Sequence, residues 1–313
     1  MTSDTPAPLQ PPPPAPERSW TTLFSFTGSG FVGALRAELL KTTKRWAPWI
    51  LLGVSLLVLV GFQYLVTWLV ETYAVRRPPH VTPAELKASL YPAGFAYQAL
   101  STALAPAMAT ILGVLLIGLE YSSGTMKTLL TIRPARLEAL AAKFATVVIA
   151  VAVGVVATFA VAAVTSVVFG AIDGQPLNHW PGAGQVVQAM LGSLLIWCWW
   201  AFFGAALAIL FQNVGLAIGL GLAWSLVAED LILGILAAVG GNFWRGFANA
   251  FPGGNATALS NVFRPAASTA ARAAAGAPPA ATVGAGQATL VLLAYCVLAL
   301  VVSFAVVGLR DVT

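Results

Sequence analysis

Six apolar runs, at roughly residues 48–70, 96–119, 144–169, 186–211, 214–239 and 288–309, set the limits on what this chain can fold into. Each is long enough to cross a hydrocarbon layer of about 30 Å as a helix. Composition closes off the soluble alternative, since 58% of residues are hydrophobic and only 9% charged, whereas soluble domains carry roughly 25% charge. The fold class expected is all-α: a polytopic membrane protein of about six transmembrane helices.

The first 30 residues read differently. Residues 1–19 hold seven prolines, including the run Pro11 to Pro14, and almost nothing apolar. This is a disordered tail of polyproline character. It lacks a basic start followed by an apolar core, so it does not read as a secretory signal. The membrane domain then occupies residues 31–313. At 100° per residue Phe31, Val32, Leu35, Leu39 and Trp46 share one face, while Arg36, Glu38, Lys41, Lys44 and Arg45 fall elsewhere. Residues 31–47 are therefore expected to form a helix lying in the membrane interface. A cytoplasmic extension of the first span fits the pattern equally, although Pro48 favours a break.

The inventory excludes several chemistries. A formal charge of +5 could suggest nucleic acid, but the basic residues flank apolar runs instead of forming a patch with interleaved aromatics, so no nucleic-acid partner is expected. Cys198 and Cys296 lie inside apolar runs, where a thiol behaves as a small hydrophobe. With two histidines, His80 and His179, and no CxxC or HExxH spacing, no metal site is expected. Nor does a GxxxxGK[ST] segment occur, so the chain has no phosphate-cradling loop of its own.

Residues 118–143, GLEYSSGTMKTLLTIRPARLEALAAK, interrupt the apolar pattern with charges and turn formers. Ser122 or Ser123 can cap a short helix from Gly124, with Met126, Leu129 and Leu130 on its apolar face. Arg133-Pro134 supplies a turn, and a second helical stretch from Ala135 leads through Arg136, Glu138 and Lys143 into the third span. On charge alone, Glu120, Lys127, Arg133, Arg136 and Lys143 could simply enforce topology. The ordered set Glu120, Gly124, Thr125, Leu129, Leu130, Pro134, Arg136 and Lys143, however, resembles the loop between the second and third membrane helices in permease subunits of ABC-type exporters, the type-2 ABC permease superfamily.

That resemblance implies a definite organisation. Residues 120–143 would be the coupling loop to a separate ABC ATPase subunit, which would hold the ATP and Mg; no cofactor is expected in this chain. The permease would work with a second copy of itself or a homologous permease. An interfacial helix would precede the first span, and a re-entrant element would precede the last. The chain itself would not be an enzyme.

Orientation follows from Lys and Arg placement. Arg18, Arg36, Lys41, Lys44, Arg45, Lys127, Arg133, Arg136, Lys143 and Arg310 lie on one side; Arg76, Arg77, Lys87, Arg245, Arg264 and Arg272 lie on the other. The bias places both termini and the 120–143 loop in the cytoplasm, with segments 71–95, 170–185 and 240–287 outside the cytoplasmic membrane.

Other residues offer weaker signals. Glu229 and Asp230 interrupt an apolar run, and ionisable residues at membrane depth are functional candidates. Yet Glu229 lies about 22 Å along a helix starting at Val214, near the outer interface. The pair reads either as solvated acids or as cation contacts at an outer mouth. Trp197, Trp199 and Trp200 are expected to form an aromatic belt, and Gly215, Gly219 and Gly221 to permit close helix packing against a partner not identifiable here. Within the outer segment 240–287, Phe243, Trp244, Phe247 and Phe251 suit interfacial anchors or a short re-entrant helix. The sequon Asn255-Ala-Thr257 is expected to be coincidental.

Three functions compete at this point: the membrane subunit of an ATP-driven exporter, an ion-gradient-driven secondary transporter, and a non-transporting membrane scaffold. Scarce charge within the spans and the lack of an evident inverted pair of broken helices weaken the second. No acid, base and nucleophile set supports an intramembrane enzyme. The topology makes a direct prediction: single cysteines at Ser122 or Arg136 should react only from the cytoplasmic face, and ones at Arg77 or Asn178 only from outside. Labelling of position 136 in intact cells by an impermeant reagent would overturn the orientation.

Overall fold

The computed structural model describes residues 28–74, 81–101, 104–122, 136–274 and 283–309. Helices and the turns between them make up all of these, with no strand among them. Helix α1 (Gly28–Lys44) precedes α2 (Trp46–Tyr73). The short helix α3 (Pro83–Leu86) and two tight turns lead to α4 (Phe95–Leu100) and α5 (Ala105–Ser122). Helices α6 (Arg136–Ile172) and α7 (Ala183–Phe211) follow, and then α8 (Val214–Ala223), which passes through a π-helical turn into α9 (Glu229–Val239). Three short helices, α10 (Asn242–Ala248), α11 (Pro252–Asn261) and α12 (Ala266–Ala274), precede α13 (Ala285–Leu309).

Five of these helical stretches are long and apolar enough to cross a membrane, and a sixth is completed if segments 92–100 and 105–119, bent by 47°, form one broken span. The six expected runs therefore all coincide with helices. Several boundaries move. The first helix begins at Gly28 rather than Phe31 and ends at Lys44, because Arg45 adopts an extended backbone (φ −86°, ψ 135°). Pro48 does not make the break; it sits in the first turn of α2, where its missing N–H has no helical partner to lose. Trp49 Nε1 donates to the Thr43 carbonyl across the bend at 3.0 Å.

Helix α7 is the hub, packing on α5, α13, α6 and α8. In its most apolar window 67% of residues are buried, against 39% for α6, 22% for α13 and 11% for α2, so α7 is the most enclosed of these four. This corrects the reading of the tryptophans as a belt. With α7 starting at Ala183, Trp197 lies about 21 Å along it at 1.5 Å per residue, and Trp197, Trp199 and Trp200 are all buried in the core.

The hub contact depends on two glycines. A Cβ on Gly113 would lie 1.8 Å from the Ala201 carbonyl oxygen, and one on Gly204 would lie 2.2 Å from that of Thr110. The antiparallel helices α5 and α7 thus meet backbone to backbone at two points one turn apart. Gly221 does pack closely, with a Cβ there falling 2.5 Å from Thr110 Cγ2, whereas Gly219 meets nothing within 4 Å. Gly113→Ala or Gly204→Ala should destabilise the purified protein by about 1–3 kcal/mol through forced separation of the two helices. Gly219→Ala should be neutral or slightly stabilising. A thermal melt of the three variants checks this, and an unshifted melt for Gly113→Ala would refute the close crossing.

Candidate functional site

Helix α6, at 37 residues, is about 55 Å long and exceeds the bilayer core, so it projects as a stem. Helix α1 packs along that stem. Lys143, expected as the last charged residue of the coupling loop, is instead 2% exposed and donates to Glu38 Oε1 on α1 at 3.1 Å. Lys41 reaches the same oxygen at 2.8 Å. The reason is geometric: Leu137, Leu140 and Phe144 turn one face of the stem inward, and Lys143 shares it. The rest of the loop set is placed less fully. Gly124, Thr125, Met126, Leu129, Leu130, Arg133 and Pro134 lie outside the described residues; Glu120 lies on α5 and Arg136 opens α6, with neither side chain described. Residues 123–135 separate the two helices, and α6 opens at Arg136, in line with the helical stretch expected from Ala135 through Lys143 into the third span.

Glu229 is 3% exposed, so it is not a solvated interfacial acid. It opens α9 directly after the π-helical turn Trp224–Ala228, a local widening often found at functional positions. Its carboxylate accepts the backbone N–H of Gly253 in the first turn of α11. A Cβ on Gly253 would stand 2.7 Å from Glu229 Oε1, so glycine is what admits the carboxylate there. A negative charge at this helix end is favourable, because the first N–H groups of α11 have no intrahelical acceptor. Asp230 follows on α9, its side chain outside the described residues.

Glu229 lines a polar cavity of about 330 Å³ together with Tyr97, Trp200, Ser225, Thr257, Asn261 and Arg264. The Arg264 guanidinium lies over the Tyr97 ring, 4.4 Å from its centroid, and donates to the Tyr97 hydroxyl. Among the described residues, two donors of these side chains, Arg264 Nε and Trp200 Nε1, are buried without an acceptor. Sequence reasoning missed Arg264, Tyr97 and Trp200 as site residues. From the sequence Arg264 was legible only as one of the basic residues assigned to the outer side.

Helix α11 itself packs against α13, so part of the 240–287 segment folds back into the bundle instead of forming an open loop. Asn255 is fully buried and donates from Nδ2 to the carbonyls of Asn249 (2.8 Å) and Phe251 (2.7 Å). The sequon is therefore inaccessible in the folded chain. Phe243, Trp244 and Phe247 on α10 remain exposed.

With that geometry in place, the sequence comparison decides the family. The profile described as ABC-2 family transporter protein matches residues 34–228, more than half of the 313-residue chain. The chain belongs to the ABC-2 transporter family. No curated protein matches it. The match to the ABC-2 family runs from α1 to the π-helical turn before Glu229, so the stem, the hub and the 123–135 segment fall within it, whereas α11 and Arg264 lie beyond. The polar cavity of this ABC-2 permease is therefore built partly from family-matched helices and partly from the segment that follows them.

A second buried ion pair closes the opposite end of α6. Asp173 accepts from Lys87 Nζ at 2.8 Å, from the Tyr91 hydroxyl at 2.9 Å and from Trp68 Nε1 at 3.1 Å. The Lys87 ammonium also sits 5.3 Å from the Trp68 ring centroid. Lys87, counted from the sequence only among the flanking basic residues, is buried. Burial alone would raise the Asp173 carboxyl, but hydrogen bonds from Lys87, Tyr91 and Trp68 outweigh it and hold the group below its ordinary value of 3.8. A carboxyl depressed on folding stabilises the fold above its unfolded value, and that contribution is lost as pH falls through the folded value. The melting temperature should therefore drop steeply in acid below about pH 4. Asp173→Asn should cost about 3 kcal/mol at neutral pH by leaving Lys87 buried without its anion, and should flatten the acid limb of the curve. Equal acid sensitivity in the variant would exclude Asp173 as the titrating group.

Proposed function

We propose that this ABC-2 protein is the membrane subunit of an ATP-driven exporter, powered by a separate ABC ATPase subunit that holds the ATP and Mg. It works beside a second permease copy or a homologous permease, embedded in the lipids of the cytoplasmic membrane with both termini in the cytoplasm. The family match over residues 34–228 carries this reading. The stem geometry supports it, since residues 123–135 join α5 to α6 and both helices pack on the hub α7. A push delivered to that segment would reach the hub through two rigid elements, with α1 latched to one of them by Glu38 and Lys143. Alternate rocking of paired permeases would then expose cargo to one side and the other.

The test is reconstitution of the chain with its ATPase. Gly124→Val, which crowds the backbone, and Glu120→Lys, which reverses charge where α5 leaves the membrane, should leave insertion intact. Both should lower transport-stimulated ATP hydrolysis about tenfold, as expected for loss of roughly 1–3 kcal/mol at a docking surface. Normal coupling in both variants would remove the 120–143 region from the mechanism. Transport driven by an ion gradient without the ATPase would favour the secondary-transporter alternative.

A further inference from the structure

A narrow apolar groove separates the elbow of α1 and α2 from helices α5 and α6. Thr43 and Pro48 line it at the elbow, Leu52 and Ser55 along α2, Met108 on α5 and Ala150 on α6. It holds about 130 Å³, close to the roughly 150 Å³ of an apolar cavity that stays dry and takes a benzene-sized guest. Trp49 and Val153, which also line it, are 51% and 49% exposed, so the groove opens on the lipid-facing surface. Its hydroxyls have no proton to give a guest. Thr42 Oγ1 donates to the Glu38 carbonyl at 2.9 Å, Thr43 Oγ1 to that of Leu40 at 3.1 Å, Ser55 Oγ to that of Leu51 at 2.8 Å and Thr146 Oγ1 to that of Ala142 at 2.9 Å. Trp49 Nε1 is spent on Thr43, and Trp197 Nε1 is buried, so both rings offer the groove carbon. Walls of this kind suit a hydrocarbon chain.

The elbow adds charge at one end of that apolar space. Lys44, exposed, and Arg45, half-buried, stand in the chain between the lining residues Thr43 and Pro48. Among the described residues neither has an ion-pair partner. Glu38 on α1 is shared by Lys41 and Lys143, and Glu138 on α6 is buried. Trp46, next to Arg45, is 82% exposed, as suits a ring at headgroup level. Pro48 to Ser55 then covers roughly 10 Å of helix leading away from that level. We propose that the groove binds one anionic phospholipid, its phosphate against Lys44 and Arg45 and one acyl chain laid along α2 from Pro48 to Ser55. The chain fills walls that give no hydrogen bond, and the phosphate answers two cations that the protein leaves unpaired. A zwitterionic lipid fits the groove equally but brings its own cation to the elbow; free phosphate would leave the groove empty. The site requires membrane insertion but no ATPase, so its failure would not touch the proposed export function, nor the reverse.

The experiment uses the purified full chain in micelles of an uncharged maltoside detergent. Thermal stability is titrated with dioleoyl phosphatidylglycerol, dioleoyl phosphatidylcholine and inorganic phosphate at constant ionic strength. Saturable stabilisation is expected, with phosphatidylglycerol binding about tenfold more tightly than phosphatidylcholine and phosphate alone having no effect. Lys44→Gln combined with Arg45→Gln should bring phosphatidylglycerol down to the phosphatidylcholine level. Arg36→Gln, which removes an exposed cation roughly 12 Å away along α1, should change the ratio less than about twofold. Ala150→Phe fills the groove from α6 and should weaken both lipids about fivefold or more while leaving the charges in place; if that variant fails to fold, Leu52→Trp fills it from α2. With a diazirine in its acyl chain, phosphatidylglycerol should label Leu52 or Ala150. Equal affinity for the two lipids, an equal loss in Arg36→Gln, or unchanged binding in both groove-filling variants would overturn the proposal. So would cross-links between two copies of the chain at Leu52 in place of lipid labelling, which would give the groove to a second copy.

Discussion

The backbone contact between α5 and α7 is the constraint on which the rest of the bundle depends. In a bilayer, helices gain little from burying apolar side chains against one another, because lipid tails are just as apolar; association relies on close packing and polar contacts. Gly113 against Ala201 and Gly204 against Thr110 bring two helices to the closest approach their backbones allow. That contact encloses α7, and enclosure of α7 turns Trp197, Trp199 and Trp200 from surface aromatics into core. It also sets the position of Trp200 in the cavity that Glu229 and Arg264 share.

Charge is used sparingly and at defined heights. Helix α6 is tied at both ends by buried ion pairs, Glu38 with Lys143 near its start and Lys87 with Asp173 just past its end. Glu71 with Arg272 ties the end of α2 to α12. Pairing of this kind does not add much net stability over an apolar contact, because desolvation offsets most of the Coulomb gain. What it adds is registry: a stem tied at two heights to α1 and to the α3 segment cannot slide without uncovering a charge. On the proposed reading, such a stem is suited to carry a displacement from the 123–135 segment to the hub.

The polar cavity departs from this economy. Glu229 serves α11 as an acceptor for a helix-end N–H, and the same residue borders a space that Arg264 also lines. The π-helical turn before Glu229 and the glycine at position 253 are the two local devices that make the placement possible.

Sequence alone located the apolar helices and bounded the spans at about six, of which the structure carries five outright and a sixth as a bent pair, because a run of about 20 apolar residues has few other ways to satisfy its backbone in a membrane. It also pointed to the family, through the ordered charge, glycine and proline of residues 118–143, and the profile match over residues 34–228 shows it. It pointed to Glu229, because an acid in an apolar run is conspicuous. What it could not determine was which side of each helix faces protein. Lys143 read as a loop charge and Lys87 as a flanking basic residue; the tryptophans read as a belt because aromatics often sit at the membrane interface; Arg264 read as one more flanking cation. Only the tertiary structure decided these, since hydropathy is the same for a lipid-facing and a protein-facing apolar side chain, and a charge's partner is set by neighbours up to 201 residues away, as with Glu71 and Arg272.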